Sequence, residues 1–393
     1  MIEYTFTDTM GPEQILHVYD PITKMKGIVV VDTTVGSTAG GGTRMMPDIT
    51  TGEIFGLARA MTYKFAIFGL PIGGAKAGIM ADPGLQGSER QELLQAFGRG
   101  VKPLLSNGIS LAADIGTDGE DVEAFYKGAD LPSPSKGLSF ELLDGEPMEN
   151  HATGYGVVQA AKTACEVAKL DISSATVAIE GFGKVGGGVA RYMNELGARV
   201  VAVSTLNGTI FNPDGLDVQK LLELRKDVGD DIINCYGDAE ILDKKKIFEL
   251  PVDILIPGAR PYVINGTNAG SIQARVISSS ANIPTTPEAE KILLERGIIE
   301  VPDFISNAGG IIVALVDFLG GTTKDVFNAL QRLIPSLTTD ILTGSLKTGA
   351  IPRHFAIDRA EKTVLQTRLS GSTDEFDDLI KKVKENFGLS ESQ

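Results

Sequence analysis

Residues 176–204 constrain this chain more tightly than any other stretch. TVAIE (residues 176–180) is a short apolar strand, and Gly181-Phe182-Gly183-Lys184-Val185-Gly186 follows it as G-x-G-x-x-G. Residues 185–196 then read as a helix ended by Gly197, and residues 199–204 as the next strand. A lone glycine pattern of this kind is weak, but here it joins a strand to a helix in a unit of about thirty residues. The glycines permit a tight turn and close backbone approach, and the helix N-terminus stabilises a pyrophosphate. Gly181, Phe182, Gly183, Lys184, Val185 and Gly186 are therefore expected to hold a dinucleotide; the alternative is a flavodoxin-like turn that binds nothing. An Asp or Glu ending the second strand would bond the ribose hydroxyls of NAD. This chain has Ser204, Thr205, Leu206 and Asn207 there. The missing carboxylate removes a repulsion against a 2′-phosphate, so NAD and NADP both stay open, with Lys184 and Arg191 as candidate cations.

Residues 54–81 form a second unusual stretch, apolar and glycine-rich. Within it, residues 61–79 hold no acid but two lysines, Lys64 and Lys76. Thr50 and Glu53 make a capping box, and Ile54, Leu57, Met61, Phe65 and Phe68 fall at helical spacing. Lys64 then projects from the apolar face. Lys76 sits among Gly73, Gly74, Ala75, Ala77 and Gly78, a loop-like run where backbone or ligand comes close. Desolvation and a second cation both lower a lysine pKa, which suits general-base work or carbonyl polarisation near neutral pH. Two lysines snorkelling from a core helix and a loop are the plainer alternative. Asp114 closes the strand ISLAAD (residues 109–114) before Ile115-Gly116-Thr117. A strand-end carboxylate beside a glycine turn commonly faces a ligand cleft. The competing role, helix N-cap, suits Asp118 better.

The 393 residues allow two α/β domains, each with its own core. Residues 1–150 read as the first of these domains. It holds a hairpin across residues 21–25, a glycine-rich turn at residues 39–44, the lysine helix and a second helix at 88–105. Residues 131–150, rich in Pro, Ser and Gly, suit a connection. A doubly wound dinucleotide domain is expected over residues 151–320. It starts with a helix near residues 154–168 and adds strands in VDILIPGA (252–259) and ARVISSSAN (274–282). Thr286 and Asn307 each open a further helix. Residues 321–393 read as helices returning to the first domain, ending in a surface helix at 372–393.

A net charge of −15 and a pI near 4.8 argue against nucleic acid, which needs clustered Lys and Arg. No apolar run reaches the roughly 18 residues of a membrane span. Glu3, Asp8, Glu13 and Asp20 do not suit a signal peptide, so a cytoplasmic protein without a membrane partner is expected. Cys165, Cys235, His17, His151 and His354 are scattered, and no metal site is expected.

With these residues in view, the chain resembles the glutamate/leucine/phenylalanine/valine dehydrogenase family over most of its length. The matching signatures are GGGTRM (40–45), MTYK…GLPIGGAKAGI (61–79), DIGT (114–117) and ATGYGV (152–157), then GFGKVG (181–186), NPDGLD (212–217), PTTPEA (284–289) and NAGG (307–310). The first ninety residues are most similar to leucine dehydrogenases, and residues 152–310 to glutamate dehydrogenases. The resemblance implies reversible oxidative deamination: an L-amino acid, water and oxidised nicotinamide give a 2-oxo acid, ammonium and reduced cofactor. It also implies a cleft between a substrate domain and a Rossmann domain, and a homo-oligomer, hexamer or octamer, built through the substrate domain. In that scheme Lys76 activates water and stabilises the carbinolamine, and Asp114 exchanges protons with the substrate amine. Lys64, with Met61 beside it, grips the α-carboxylate. Thr153, Asn282 and Asn307 align with groups lining the nicotinamide side.

Three departures bear on these expectations. Glutamate dehydrogenases carry a lysine just before Gly-Gly-x-Arg and a serine shortly after NAGG, both serving the side-chain carboxylate. This chain has Gly40, beside Gly41, and Ala314. A γ-carboxylate buried there without partners costs on the order of several kcal/mol. An apolar substrate side chain is therefore expected, with glutamate as the alternative. The family's Glu-Gly-Ala-Asn before PTTPEA is Ser279-Ser280-Ala281-Asn282 here. That change would suit a non-catalytic paralogue binding nucleotide or amino acid.

Overall fold

A computed structural model describes residues 8–35, 37–133, 140, 143, 147–370, 381, 383–385 and 387–388. The chain forms two compact units, Met1–Ser139 with Asp358–Val383, and Phe140–Ile357 with Lys384–Gln393.

The first unit is built from β1 (Gln14–Tyr19), β2 (Lys26–Val31), β3 (Ala39–Met45), α1 (Thr51–Ile67), β4 (Gly73–Ile79), α2 (Gly87–Leu105), β5 (Ile109–Ala113) and α3 (Gly119–Gly128). Its sheet has the order β1-β2-β4-β3-β5. β1 and β2 form the expected antiparallel hairpin, β4 runs antiparallel to β2, and β3 pairs in parallel with both β4 and β5. Alternation along β4 sorts its side chains between two faces. Ala75, Ala77 and Ile79 join Val29, Val31, Phe97, Val101 and Phe125 in one core. Gly74, Lys76 and Gly78 take the other face, under α1. A Cβ on Gly74 would lie 2.3 Å from the Ala58 oxygen and the Thr62 nitrogen, and one on Gly78 would lie 2.8 Å from Ile54. Helix α1 therefore rests on main chain, and Lys76 lies in the floor beneath it. Asp32 ties the same helix to the sheet: both carboxylate oxygens accept from Arg59 Nε at 2.8 Å, and Thr62 Oγ1 donates to one at 2.6 Å.

Two local expectations are corrected here. Residues 39–44 and 73–78, read as a turn and a loop, are neighbouring strands in the middle of the sheet. Glycine's poor strand propensity hides them; close packing demands it, since a Cβ on Gly41 would stand 1.7 Å from the Ala75 carbonyl oxygen. The capping box of α1 is half formed. Thr50 accepts from the Glu53 N–H, but the Glu53 carboxylate turns to Arg44 at 2.6 Å.

The second unit begins with α4 (Met148–Val167), β6 (Thr176–Glu180), α5 (Lys184–Glu195), β7 (Arg199–Thr205), β8 (Gly208–Phe211), α6 (Val218–Val228), α7 (Ile232–Cys235) and β9 (Glu240–Leu242). It continues with β10 (Ile254–Pro257), β11 (Val276–Ser278), α8 (Pro287–Glu295), β12 (Ile299–Val301), α9 (Asp303–Ser306), α10 (Gly309–Phe318), α11 (Thr323–Thr348) and α12 (Pro352–Ser370). The sheet order is β12-β11-β10-β6-β7-β8-β9. β12, β11, β10, β6 and β7 are parallel, and β8 and β9 extend the edge as antiparallel strands. From β6 the chain builds one way to β9, returns to β10, and builds the other way to β12. That reversal is the switch point where a doubly wound sheet binds its ligand.

The C-terminal helices divide differently from the expected boundaries at 150 and 320. α11 carries the buried stripe Val326, Ala329, Leu330, Ile334, Leu337 and Ile341 and packs along α4 in the second unit. From this C-terminal part, Asp358–Val383 groups with the first unit. The expected connection at 131–150 and the terminal helix at 372–393 lie largely outside the described residues. Among those described, no helix is long and apolar enough to cross a membrane, and no group of three or more His, Cys, Asp or Glu is placed to hold a metal ion.

One buried group makes the second unit sensitive to pH. Glu300 shares a charge cluster with Glu290, Asp303 and Arg353. Burial raises its pKa to about 7, against the hydrogen bond from Thr285 and the charge of Arg353. The folded state thus holds this proton more tightly than the unfolded chain, and stability is lost as pH rises from the ordinary carboxylate range through about 7. Glu300→Gln keeps an acceptor for Thr285, which donates at 2.5 Å. The variant is expected to melt a few degrees above the parent at pH 8, with the difference shrinking at pH 5; melting curves at the two pH values check it.

Candidate active site

Lys76 leaves the middle of β4, and Asp114 stands just beyond β5. Strand β3 lies between them in the sheet, so the two side chains meet over it. Gly42 makes this meeting feasible: a Cβ there would stand 2.9 Å from Asp114 Cβ and 3.1 Å from Lys76 Nζ. Nζ reaches Asp114 Oδ2 at 2.9 Å. The β3–β4 pairing runs through Gly40↔Gly74 and resumes at Thr43↔Ala77, leaving this place in the ladder open. Arg44 Nε lies 3.2 Å from the same Asp114 oxygen, and its Nη1 is held by Glu53. The turn itself is pinned to β3. The Asp114 N–H donates to Thr117 Oγ1 at 3.0 Å, and that hydroxyl donates to the Thr43 carbonyl at 2.7 Å.

Burial alone would raise the Asp114 pKa. The charges of Lys76 and Arg44, with hydrogen bonds from Lys76 and the Ile115 N–H, hold it down at about 2 instead. Asp114 is thus a carboxylate at neutral pH, and it becomes a proton donor only when those cations are drawn away or neutralised. Lys64 is buried in the last turn of α1. Met61 lies 3.5 Å from where a Cβ on Gly41 would fall, and Phe65 lies 3.8 Å from one on Gly40, so α1 covers the glycine run of β3. Among Gly40, Gly41 and Gly42, only Gly40 would accept a Cβ without a close approach, its would-be contacts lying at 3.8 Å or beyond.

In the second unit the glycine loop sits at the switch point, between the ends of β6 and β10. Gly181 has φ +87 and approaches Gly258 and Ala259 so closely that a Cβ would lie within about 3 Å of their main chain. Gly186 packs against the Gly181 carbonyl, where a Cβ would stand at 2.2 Å. Gly183 is different: nothing lies within 4 Å of where its Cβ would be, and as N-cap of α5 it supplies no side-chain cap. Open space above the uncapped N-terminus of a twelve-residue helix fits a pyrophosphate. The buried Phe182 donates its N–H to the Ser204 carbonyl at 2.7 Å, Lys184 is exposed and Val185 half-buried. Glu180 joins the two sides of the crevice, accepting from the Gly258 and Ala259 N–H groups at 2.8 Å each. Burial pushes its pKa up against those two donors.

At the end of β7, Ser204 Oγ accepts from the Gly181 N–H at 3.3 Å, and Thr205 Oγ1 donates to the Asp230 carbonyl at 2.9 Å. Arg191, considered for a 2′-phosphate, instead reaches the buried His151 Nδ1 at 3.2 Å. Thr153 and Gly310 adjoin where α4 meets α10, and Asn307 Nδ2 donates to Asn282 Oδ1 at 2.9 Å. Ala314 is exposed one turn further along α10. The departure at 279–280 leaves a mark: Ser279 Oγ is buried with no hydrogen-bond partner, while Ser306 Oγ donates to the Ser279 carbonyl at 2.7 Å. Sequence reasoning assigned Arg44 and Glu180 no role at the site, and Glu53 only a capping role. Arg44 lies inside GGGTRM and could have been found there; Glu180 showed only as a charge ending an apolar strand.

A nucleotide-binding doubly wound unit, and a separate unit presenting a buried lysine against a strand-end carboxylate, define the class of nicotinamide-dependent amino acid dehydrogenases. Residues 145–347 match Glutamate/Leucine/Phenylalanine/Valine dehydrogenase, and residues 12–129 match its dimerisation domain, so the chain belongs to this family. It is similar to the glutamate dehydrogenase of Thermotoga maritima, 36% identical over 377 residues that cover 88% of this chain and 89% of the relative. It is also similar to the NADP(+)-dependent glutamate dehydrogenase of Pyrobaculum calidifontis, 35% identical over 71% of this chain and 69% of the relative. Among solved structures it is similar to the hetero-hexameric glutamate dehydrogenase of Thermus thermophilus in a Leu-bound form (TM-score 0.79, 27% identity, 92% of this chain and 90% of that one). The protein is an oxidoreductase acting on CH–NH2 donors, and it carries out oxidative deamination of an amino acid with NAD or NADP.

Proposed function

We propose that the substrate is an L-amino acid with an apolar side chain, and that Lys76, Asp114 and Lys64 act on it. The observation that carries this assignment is the Lys76–Asp114 pair, 2.9 Å apart over a glycine. When bound, NAD or NADP supplies the hydride acceptor, with residues 181–186, Thr153, Asn282 and Asn307 holding it. Lys64 takes the substrate α-carboxylate. Asp114 accepts a proton from the α-ammonium, freeing the nitrogen lone pair to expel hydride from Cα. Lys76 then deprotonates the water that attacks the resulting iminium carbon, and its ammonium form stabilises the carbinolamine. Asp114 returns its proton to the nitrogen, the carbinolamine hydroxyl gives up its proton to solvent as the C–N bond breaks, and ammonia and the 2-oxo acid leave.

Tolerance of a Cβ at Gly40, the half-buried Ile311 and the exposed Ala314 and Phe318 along α10 support an apolar side chain, Phe318 being 65% exposed. Glutamate is the second reading, favoured by the relatives' names. Initial rates with leucine, valine, isoleucine, phenylalanine and glutamate, each with NAD and NADP, separate the two. An apolar substrate is expected to exceed glutamate about 100-fold in kcat/KM, and the double change Gly40→Lys with Ala314→Ser to narrow that ratio at least about tenfold. Dominant glutamate turnover by the unaltered chain would reverse the assignment. We further propose a homo-oligomer, hexamer or octamer, working in the cytoplasm; the dimerisation-domain match and the hetero-hexameric Thermus relative support the oligomer.

A further inference from the structure

Asp303, at the start of α9, holds the Asn282–Asn307 pair from both sides. Its Oδ2 accepts from the Ile283 N–H at 2.7 Å, and its main-chain oxygen accepts from the Asn307 N–H at 2.9 Å. The first of these bonds constrains a strained residue. Ile283 has φ +50, a conformation that a β-branched side chain adopts only where its surroundings impose it. Asn282 is the residue just before it, so releasing Ile283 would turn the Asn282 side chain out of place.

The Asp303 carboxylate is in turn fixed by one cation. Arg353, the second residue of α12, pairs through Nη2 with Asp303 Oδ1, and its Nε lies 2.5 Å from Glu290 Oε1. Asp303 is 1% exposed and Glu290 2% exposed, so both depend on the guanidinium for compensation. The planar fork matters here, because it serves two carboxylates on different helices at once, which an ammonium does less well. From Asp358 onward the same helix belongs to the other compact unit, so this anchor sits where the chain passes from one unit to the next.

We propose that Arg353 is a positioning residue for the cofactor: by fixing the Asp303 carboxylate it keeps the Ile283 turn closed and presents Asn282 to the nicotinamide. The role rests on the reading of Asn282 given above. Full-length chains carrying Asn282→Ala, Asp303→Asn, Arg353→Lys, and Asp303→Asn combined with Ile283→Gly would be titrated with NADH, following ligand fluorescence, and assayed for the KM of dinucleotide and of amino acid. Asp303→Asn and Arg353→Lys are expected to raise the NADH Kd and the dinucleotide KM about tenfold, with the amino acid KM unchanged. Arg353→Lys keeps the charge and so protects folding. Hydrogen exchange at the Ile283 amide in the ligand-free Arg353→Lys chain is expected to quicken. Glycine adopts φ +50 without being held, so the double variant should recover NADH affinity to within about threefold of the parent. Variants that melt lower but bind NADH normally, or a double variant with no recovery, would overturn the positioning role. Normal NADH binding by Asn282→Ala would overturn the site reading and this role with it; a defect there beside normal Asp303→Asn and Arg353→Lys overturns this role alone.

Discussion

Lys76→Met is expected to lower kcat by about 10⁴ while leaving NADH affinity within about twofold. Methionine keeps most of the stem that lies under α1 and removes only the nitrogen that meets Asp114. Two contributions vanish together: proton transfer with the attacking water, worth about 10²–10⁴, and stabilisation of the charge developing on the carbinolamine oxygen. The glycine loop belongs to the other compact unit, so dinucleotide binding is an internal control. The substitution also removes the stronger of the two charges that hold the Asp114 pKa near 2, leaving Arg44. The parent's Asp114 favours the folded state above the ordinary carboxylate pKa, and this contribution is lost as pH falls through about 2. In the variant that loss should begin at higher pH, so its acid unfolding midpoint should move up. Steady-state rates and an acid titration of the melting temperature test both statements. Residual activity within tenfold of the parent would remove Lys76 from the chemistry.

Gly41→Ala should have the largest effect on stability. The new Cβ would fall 1.7 Å from the Ala75 carbonyl oxygen. The obstacle is the backbone of the adjacent central strand, which cannot rotate away as a side chain does. A cost above about 3 kcal/mol is expected, as for other severe core overpacking. One residue earlier, Gly40→Ala meets only ordinary contacts at 3.8 Å and should cost less than about 1 kcal/mol. Thermal melts of the two variants side by side are decisive, because equal effects would contradict the packing of β3 against β4.

The dinucleotide half was legible because its signal is local. Strand, glycine turn and helix follow one another within a single unit, where Gly186 answers to a neighbour close in sequence, Gly181 to the chain just past the next parallel strand, and Gly183 leaves open space. The amino acid half was legible as residue types but not as geometry. Lys76 and Asp114 meet only because β3 inserts between β4 and β5, a pairing between distant segments that no local pattern announces. The same insertion turns two glycine-rich runs into strands, where propensity pointed to a turn and a loop. Glu53 shows a different limit. The capping rule correctly placed Thr50, but a buried guanidinium outweighs a backbone N–H as a partner for the Glu53 carboxylate. The hold of Arg353 on Asp303 had no sequence signal, since it links helices far apart in the chain through side chains common on any surface.

Gly40 and Gly41 are neighbours on one strand, yet a Cβ on the first would meet only ordinary contacts and one on the second would strike the main chain. Under the substrate assignment proposed above, a change at Gly40 that retunes which amino acid is accepted lies next to one that disrupts the sheet, and Lys76 need not shift in either case.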